Sequence, residues 1–258
     1  MTVVDNPSGL TPVGLNKAID SGRGEIVVRV DAHSVIPPGY VSTAVHTLLE
    51  TGAGNVGGMQ VPVGDTFWSR AIAASMASPA GSGDARYRIG GEAGPVETVY
   101  LGTFRRSTLE DLGGYDESFR RHQDYELNER IRRAGGVVWF EPSLRVSYRP
   151  RSSLVTLARQ YFEYGTWKRS FARANPGSLL PRQVAPPFLV VALGASIGLG
   201  FVNPVLWLVP VAYLVALIGA AVLTLPTSGA AAIGVPVTLT TMHLAWGLGF
   251  LFGQTRER

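Results

Sequence analysis

Arg121-His-Gln-Asp124-Tyr-Glu-Leu127-Asn-Glu-Arg130-Ile131-Arg-Arg-Ala134-Gly135-Gly136 is the stretch on which the reading of this chain turns. Leu127 and Ile131 are four apart, and Ala134 completes an apolar stripe among charged residues, the spacing of a helix that buries one face. Gly135-Gly136 supplies the stop, because glycine takes the left-handed C-terminal conformation without steric cost. Gln123-Asp124 therefore stands at the helix N-terminus. A carboxylate there is held ionised by free backbone N–H groups and the helix dipole. Two readings of Asp124 are open: an N-cap, a position that favours Asp, or a carboxylate kept for chemistry.

Upstream, Leu10, Gly14, Leu15, Ala18 and Ile19 space a short amphipathic helix that Ser21-Gly22-Arg23-Gly24 ends. Glu25-Ile-Val-Val-Arg-Val-Asp31 is apolar and β-branched and reads as a buried strand. Thr2-Val3-Val4 also reads as a strand. Strand, helix, strand predicts an α/β layer with parallel strands, in which ligands gather at the carboxyl ends. Asp31-Ala32-His33 lies at such an end. Residues i and i+2 of an extended chain share a side, so Asp31 and His33 can address one divalent ion. Carboxylate with imidazole suits manganese or magnesium held by few protein ligands, phosphate oxygens and water completing the shell. The plainer alternative is a strand-terminal Asp beside a surface His.

Val41, Val45, Leu48 and Leu49 give helical spacing, Val56–Val63 a strand and Phe67–Met76 a helix. Residues 78–94 read as one flexible surface loop. Val96–Gly102 reads as a strand ending in a glycine where a ligand can approach closely. A short helix, Thr108–Leu112, and a strand, Val137–Phe140, flank the opening stretch. Ser153–Arg173 predicts a helix with Leu154, Leu157, Ala158, Tyr161 and Phe171 on its apolar stripe. Basic residues and the aromatics Tyr164 and Trp167 lie beside that stripe. This is the pattern of a helix in the lipid headgroup zone, or of an ordinary amphipathic surface helix.

Charge is distributed unevenly over the 258 residues. Between Arg182 and Arg256 there is no Asp, Glu, Lys or Arg. Three apolar segments fill that span, residues 185–201, 204–225 and 230–253. The second and third have the ~20 residues that a bilayer crossing takes, and the first is at the short limit. Basic residues up to Arg182 place the preceding domain in the cytoplasm, and the tail Arg256-Glu257-Arg258 weakly prefers the same side. Three full spans would put that tail on the other side, so one segment is re-entrant or the tail signal misleads. The net charge of +4 describes a balanced soluble part joined to a membrane part. No aromatic-basic motif for nucleic acid is present. Absence of cysteine excludes disulfides and thiolate metal sites. His243 alone among the apolar segments is acidic or basic, too few such groups for a solute path.

Several motifs in order resemble the family 2 glycosyltransferases, in particular the membrane-anchored exopolysaccharide branch that includes succinoglycan glucosyltransferases. They are Asn6-Pro7 with Gly14-Leu15-Asn16, Gly24–His33, Tyr100–Arg106, Gly113-Gly-Tyr-Asp-Glu117, Gln123–Asn128, Tyr148-Arg-Pro-Arg151, Gln160–Lys168 and His243–Phe250. The resemblance implies a GT-A fold, a Rossmann-related sheet that binds a nucleotide-sugar donor. It places Asp31-Ala32-His33 at the family's Asp-x-Asp metal motif, His33 replacing the second carboxylate. Asp124 matches the catalytic base of an inverting transfer to a lipid-linked or polysaccharide acceptor. Gln160 and Trp167 resemble the Gln…Trp segment that lines the acceptor and donor channel in processive relatives, and Gly102, the strand-end glycine, is a further expected contact to the donor. The Gln160–Trp167 spacing differs from the Gln-x-x-Arg-Trp form of processive relatives, so processivity is not implied. Arg149 and Arg151 would meet phosphates or lipid headgroups.

The family also carries, ahead of the helix preceding Asp31, a strand with an Arg-Asn-Glu-type segment and a second strand whose aspartate holds the nucleotide base. Neither is found in these residues. The expectation is therefore an α/β fold made of a truncated GT-A domain over residues 1–152, an amphipathic interfacial segment over 153–182 and a membrane region over 183–258. The alternative to an enzyme is a non-catalytic remnant, or a membrane subunit whose protein partner supplies the missing strands.

Overall fold

The computed structural model describes residues 2–32, 34–119 and 122–254. In chain order the elements are α1 (Thr11–Ser21), β1 (Ile26–Val28), α2 (Tyr40–Thr51), β2 (Asn55–Pro62), α3 (Phe67–Met76), the one-turn helices α4 (Pro79–Ser82) and α5 (Arg86–Ile89), and β3 (Gly94–Pro95). Next come β4 (Tyr100–Arg105), α6 (Arg106–Asp111), α7 (Gln123–Arg133), β5 (Val138–Tyr148), α8 (Leu154–Ala174), α9 (Pro181–Leu199), α10 (Leu208–Ser228) and α11 (Val235–Phe252). The chain forms two compact units, residues 1–61 with 86–148, and residues 62–85 with 149–258. Residues 78–94, expected as one loop, carry α4 and α5 and are divided between the units.

The first unit is an α/β sheet of strand order β1-β4-β2-β5-β3. The expected layer of parallel strands is corrected here. β4 pairs antiparallel with both β1 and β2. The α2 crossover does give β1 and β2 one direction, but it skips a position, and the later strand β4 fills the slot in the opposite sense. The Thr2–Val4 run is irregular. Both faces of the sheet are covered, as a largely buried sheet requires. Phe104, Leu109, Leu127, Ile131, Val138 and Phe140 form a core against α7. Tyr40, Ala44, Leu48, Val56, Leu144 and Val146 form another against α2. Burying Leu127 and Ile131 fully stabilises the seating of α7 by about 1.5–3 kcal/mol for each side chain.

A buried polar chain fixes how α7 sits. Asn55 Nδ2 donates to Asn128 Oδ1 (2.7 Å), and Asn128 Nδ2 donates to Thr98 Oγ1 (2.9 Å). Asn55 Oδ1 accepts from the Thr103 backbone N–H at 3.2 Å. On α7, Arg130 pairs with Glu126 and donates to Leu112 O and Gly114 O. These bonds tie the helix to the turn that leads into it. A register shift opposite Val56 and Gly58 bulges β4, where Leu101 takes a positive φ of 53°.

The second unit is helical. Ser153 caps α8, its Oγ accepting from Thr156 N–H. The apolar segments at 185–201 and 204–225 fall on α9 and α10. The third begins with a 3-10 turn, Gly229–Gly234, and continues as α11.

Candidate active site

Arg29 is the centre of the site. Its backbone N–H donates to Gly102 O at 2.9 Å, carrying the β1–β4 ladder one step past the strand. Its side chain is 8% exposed, so the guanidinium needs counter-charge within the protein. Nε donates to Asp31 Oδ1 at 2.7 Å, and Nη1 donates to Asp124 Oδ1. The charge also lies 5.8 Å from the centre of the Tyr115 ring. That ring is held by Asn16, which accepts from Tyr115 N–H and donates to Tyr115 O, each at 2.8 Å. Phe104 meets the ring edge-on. Helix α1 thus positions Tyr115, Tyr115 backs Arg29, and Arg29 gathers the two carboxylates.

Asp124 is the second residue of α7. The cap position is His122, in the left-handed conformation at φ 61°, and no side chain caps the helix. The N-cap reading of Asp124 therefore does not hold: its carboxylate bonds Arg29 instead. The Asp124 side chain keeps 45% of its surface open, so a reactant can reach it. Crowding by protein still raises its pKa above the usual carboxylate range; Arg29 opposes the shift and Asp31 adds to it. Burial also pushes the Tyr115 hydroxyl up. For Arg29 burial pulls downward, but Asp124, Tyr115 and Asp31 outweigh it and the guanidinium stays firmly charged.

Asp31 and Asp124 are brought together on one guanidinium. His33 lies outside the described residues. Among the described residues no group of three or more His, Cys, Asp or Glu side chains could hold a metal ion. Asp31 nonetheless fits a site completed by phosphate and water, since it offers a hard oxygen donor that is 31% exposed. A side chain at Gly102 would lie 2.3 Å from the Phe104 ring, so packing accounts for this glycine. Arg149, Arg151, Gln160 and Trp167 belong to the second unit. Arg149 and Arg151 are exposed just before α8. Gln160 is buried and donates to Tyr164 Oη at 2.6 Å, and Trp167 is half-buried on α8.

Residues 2–163 match the family described as "Glycosyltransferase like family 2". The chain belongs to the family 2 glycosyltransferases. This glycosyltransferase is of the exopolysaccharide type. It is 34% identical over 258 residues to the succinoglycan biosynthesis protein ExoA of Rhizobium meliloti (strain 1021), covering 96% of this chain and 76% of that protein. The mannosyltransferase PcManGT from Pyrobaculum calidifontis, solved in complex with GDP-Man and Mn2+, matches with a TM-score of 0.54 at 24% identity. The match covers 98% of this chain and 70% of that one and shows the GT-A fold.

Both candidate carboxylates stand out in the sequence of this glycosyltransferase, but nothing beside either of them marks Arg29 as what joins them. Arg29 received no role, although a lone cation inside the β-branched run Glu25–Val30 is a signal. A charge on a buried strand has to be paired. The roles of Tyr115 and Asn16 carry no such mark, because only the fold brings α1 beside the turn after α6.

Proposed function

We propose that this glycosyltransferase moves a sugar from a nucleotide-sugar donor to a lipid-linked or polysaccharide acceptor in a single inverting displacement. Asp124 is the general base, and Asp31 with His33 addresses a divalent ion. The observation that carries this reading is the sharing of one buried guanidinium by Asp31 and Asp124. An accessible carboxylate whose pKa is raised above the ordinary range is a stronger proton acceptor, which suits a general base. Asp124 takes the proton of the acceptor hydroxyl as that oxygen bonds to the anomeric carbon. The bond from that carbon to the diphosphate breaks, and the nucleoside diphosphate leaves with the electron pair. Arg29 keeps both carboxylates in place and Asp124 ionised. When bound, Mn2+ or Mg2+ supplies positive charge against the departing diphosphate.

The likeness to a protein solved with GDP-Man and Mn2+ supports the donor class and the metal. The likeness to a succinoglycan biosynthesis protein supports a saccharide acceptor. Gln160 and Trp167 then line the acceptor path, and Arg149 and Arg151 meet diphosphate or lipid headgroups. The enzyme is a multi-pass membrane protein with its sheet domain in the cytoplasm, a reading supported by the basic residues ahead of the apolar helices. The test is release of nucleoside diphosphate from a panel of nucleotide-sugars by the purified protein with acceptor membranes. Asp124→Asn should lower the rate by about 10²–10⁴-fold while the protein still folds, its melting temperature down by only about 2–4 °C. Chelation should stop turnover, and added Mn2+ should restore it. An Asp124→Asn protein that turns over at the parent rate overturns the assignment.

A further inference from the structure

The turn that follows β1 and carries Asp31 is held by three strands of the first unit. Arg29, just past β1, donates from Nε to Asp31 Oδ1 at 2.7 Å. The Ser34 N–H donates to Asp31 O at 2.9 Å, tying the two residues through the backbone. The Ser34 hydroxyl then bonds the hydroxyl of Tyr100, the first residue of β4, at 2.8 Å. One residue on, the Ser147 N–H of β5 donates to Val35 O at 3.3 Å. Arg29 thus sets the Asp31 side chain, while Tyr100 and Ser147 set the backbone that leaves it.

The Tyr100 hydroxyl reaches Ser34 because β4 is bulged. Val56 of β2 lies opposite Thr103 but Gly58 lies opposite Tyr100, so three steps along β4 answer two along β2. Leu101 absorbs the extra residue at a φ of 53°, a conformation that a branched side chain resists. Gly57 lets the bulge close, since a Cβ there would lie 2.3 Å from Leu101 O. In a regular strand alternate residues share a face, so Tyr100 would point with Gly102 and Phe104 toward the α7 core. Instead Tyr100 and Leu101 both pack on the α2 core. Strain of this kind persists where the surrounding structure imposes it, and it gathers at functional sites. Here it turns one tyrosine onto the Asp31 turn.

We propose that Tyr100 and Ser34 are positioning residues for the divalent ion, their hydrogen bond bracing the turn from which the Asp31 carboxylate is offered. This rests on the metal reading of Asp31 above. An ion held by few protein ligands depends on those ligands being fixed in advance, because any freedom they keep is lost on binding. Arg29 occupies Oδ1 of Asp31 and leaves Oδ2 for the ion. The brace keeps the backbone behind that oxygen from moving away.

The test is Mn2+ binding to the purified full chain, followed by water-proton relaxation, with the melting temperature recorded for every variant. Tyr100→Phe keeps the ring in the α2 core and removes only the hydroxyl; Ser34→Ala removes the other partner. Each should raise the Mn2+ dissociation constant about tenfold, the low end for loss of a contact outside the ligands themselves. The double variant should bind no more weakly than the weaker single, since the same bond is lost in all three. Release of nucleoside diphosphate should need about tenfold more Mn2+ for half its maximal rate, and saturating Mn2+ should recover the loss. A purely structural role would lower the melting temperature and leave the Mn2+ dissociation constant of the folded protein unchanged. That result for Tyr100→Phe overturns the proposal, as does a double variant whose loss is the product of the two single losses. Failure of the parent to bind Mn2+, or parent-level binding by Asp31→Asn, would sink the metal reading and this inference with it. The Asp124→Asn rate tests the base independently of both.

Discussion

A cycle of Asp31→Asn, Asp124→Asn and the double variant tests the shared guanidinium most directly. Arg29 is 8% exposed, whereas Asp31 and Asp124 are 31% and 45% exposed. The desolvation cost therefore falls mainly on the cation. Either single exchange leaves Arg29 one full counter-charge and a neutral acceptor, and should cost about 1 kcal/mol, the net worth of an ordinary hydrogen bond. The double exchange leaves a buried charge without a counter-ion and should cost about 3–5 kcal/mol. The excess over the sum, about 1–3 kcal/mol, is the size expected for groups in one network. Arg29→Met should be milder than the double variant, because it removes the buried charge and leaves two carboxylates that water can reach. Urea titration in micelles at pH 7, followed by tryptophan fluorescence at constant m value, measures all four. A double variant no worse than the sum of the singles would refute the reasoning, as would an Arg29→Met protein less stable than that double variant.

Three further outcomes follow from the same geometry. The free enzyme's kcat/KM should fall as pH drops through the raised pKa of Asp124, because the base must be ionised; an acid limb at or below about 4, the ordinary Asp value, would contradict the crowding seen there. Gly102→Ala should destabilise by about 1–3 kcal/mol, since its methyl would press on the Phe104 ring, while the donor KM of the folded protein stays at the parent value. Asn128→Ala should cost about 2–4 kcal/mol in the same unfolding assay, because it strands the Asn55 amide and the Thr98 hydroxyl in a buried setting.

The helices were the legible part of the fold. The expected Phe67–Met76 helix coincides with α3, and Ser153–Arg173 differs from α8 by one residue at each end. Periodicity, caps and glycine stops act within a turn or two, so they are written locally. Strands fared worse for a physical reason. Val96–Gly102 was the expected strand, yet β4 runs Tyr100–Arg105, because its extent is set by β1 and β2 on either side. β5 continues through Pro142 to Tyr148 instead of stopping at Phe140. β3 pairs only as far as Phe140, so a proline beyond it breaks no bond of that ladder.

By itself the sequence determined an α/β domain followed by an uncharged apolar region, the helix that carries Asp124, and Asp31 at a strand end. Each of these depends on residue type and short spacing. Tertiary structure alone decided that β4 divides β1 from β2, that residues 62–85 join the apolar helices, and that Arg29 binds both carboxylates. It also decided that a bulge in β4 brings the Tyr100 hydroxyl to Ser34, beside the Asp31 turn. Charge pairing and burial depend on segments far apart in the chain, and a pattern of neighbours carries no record of what the fold will place beside it.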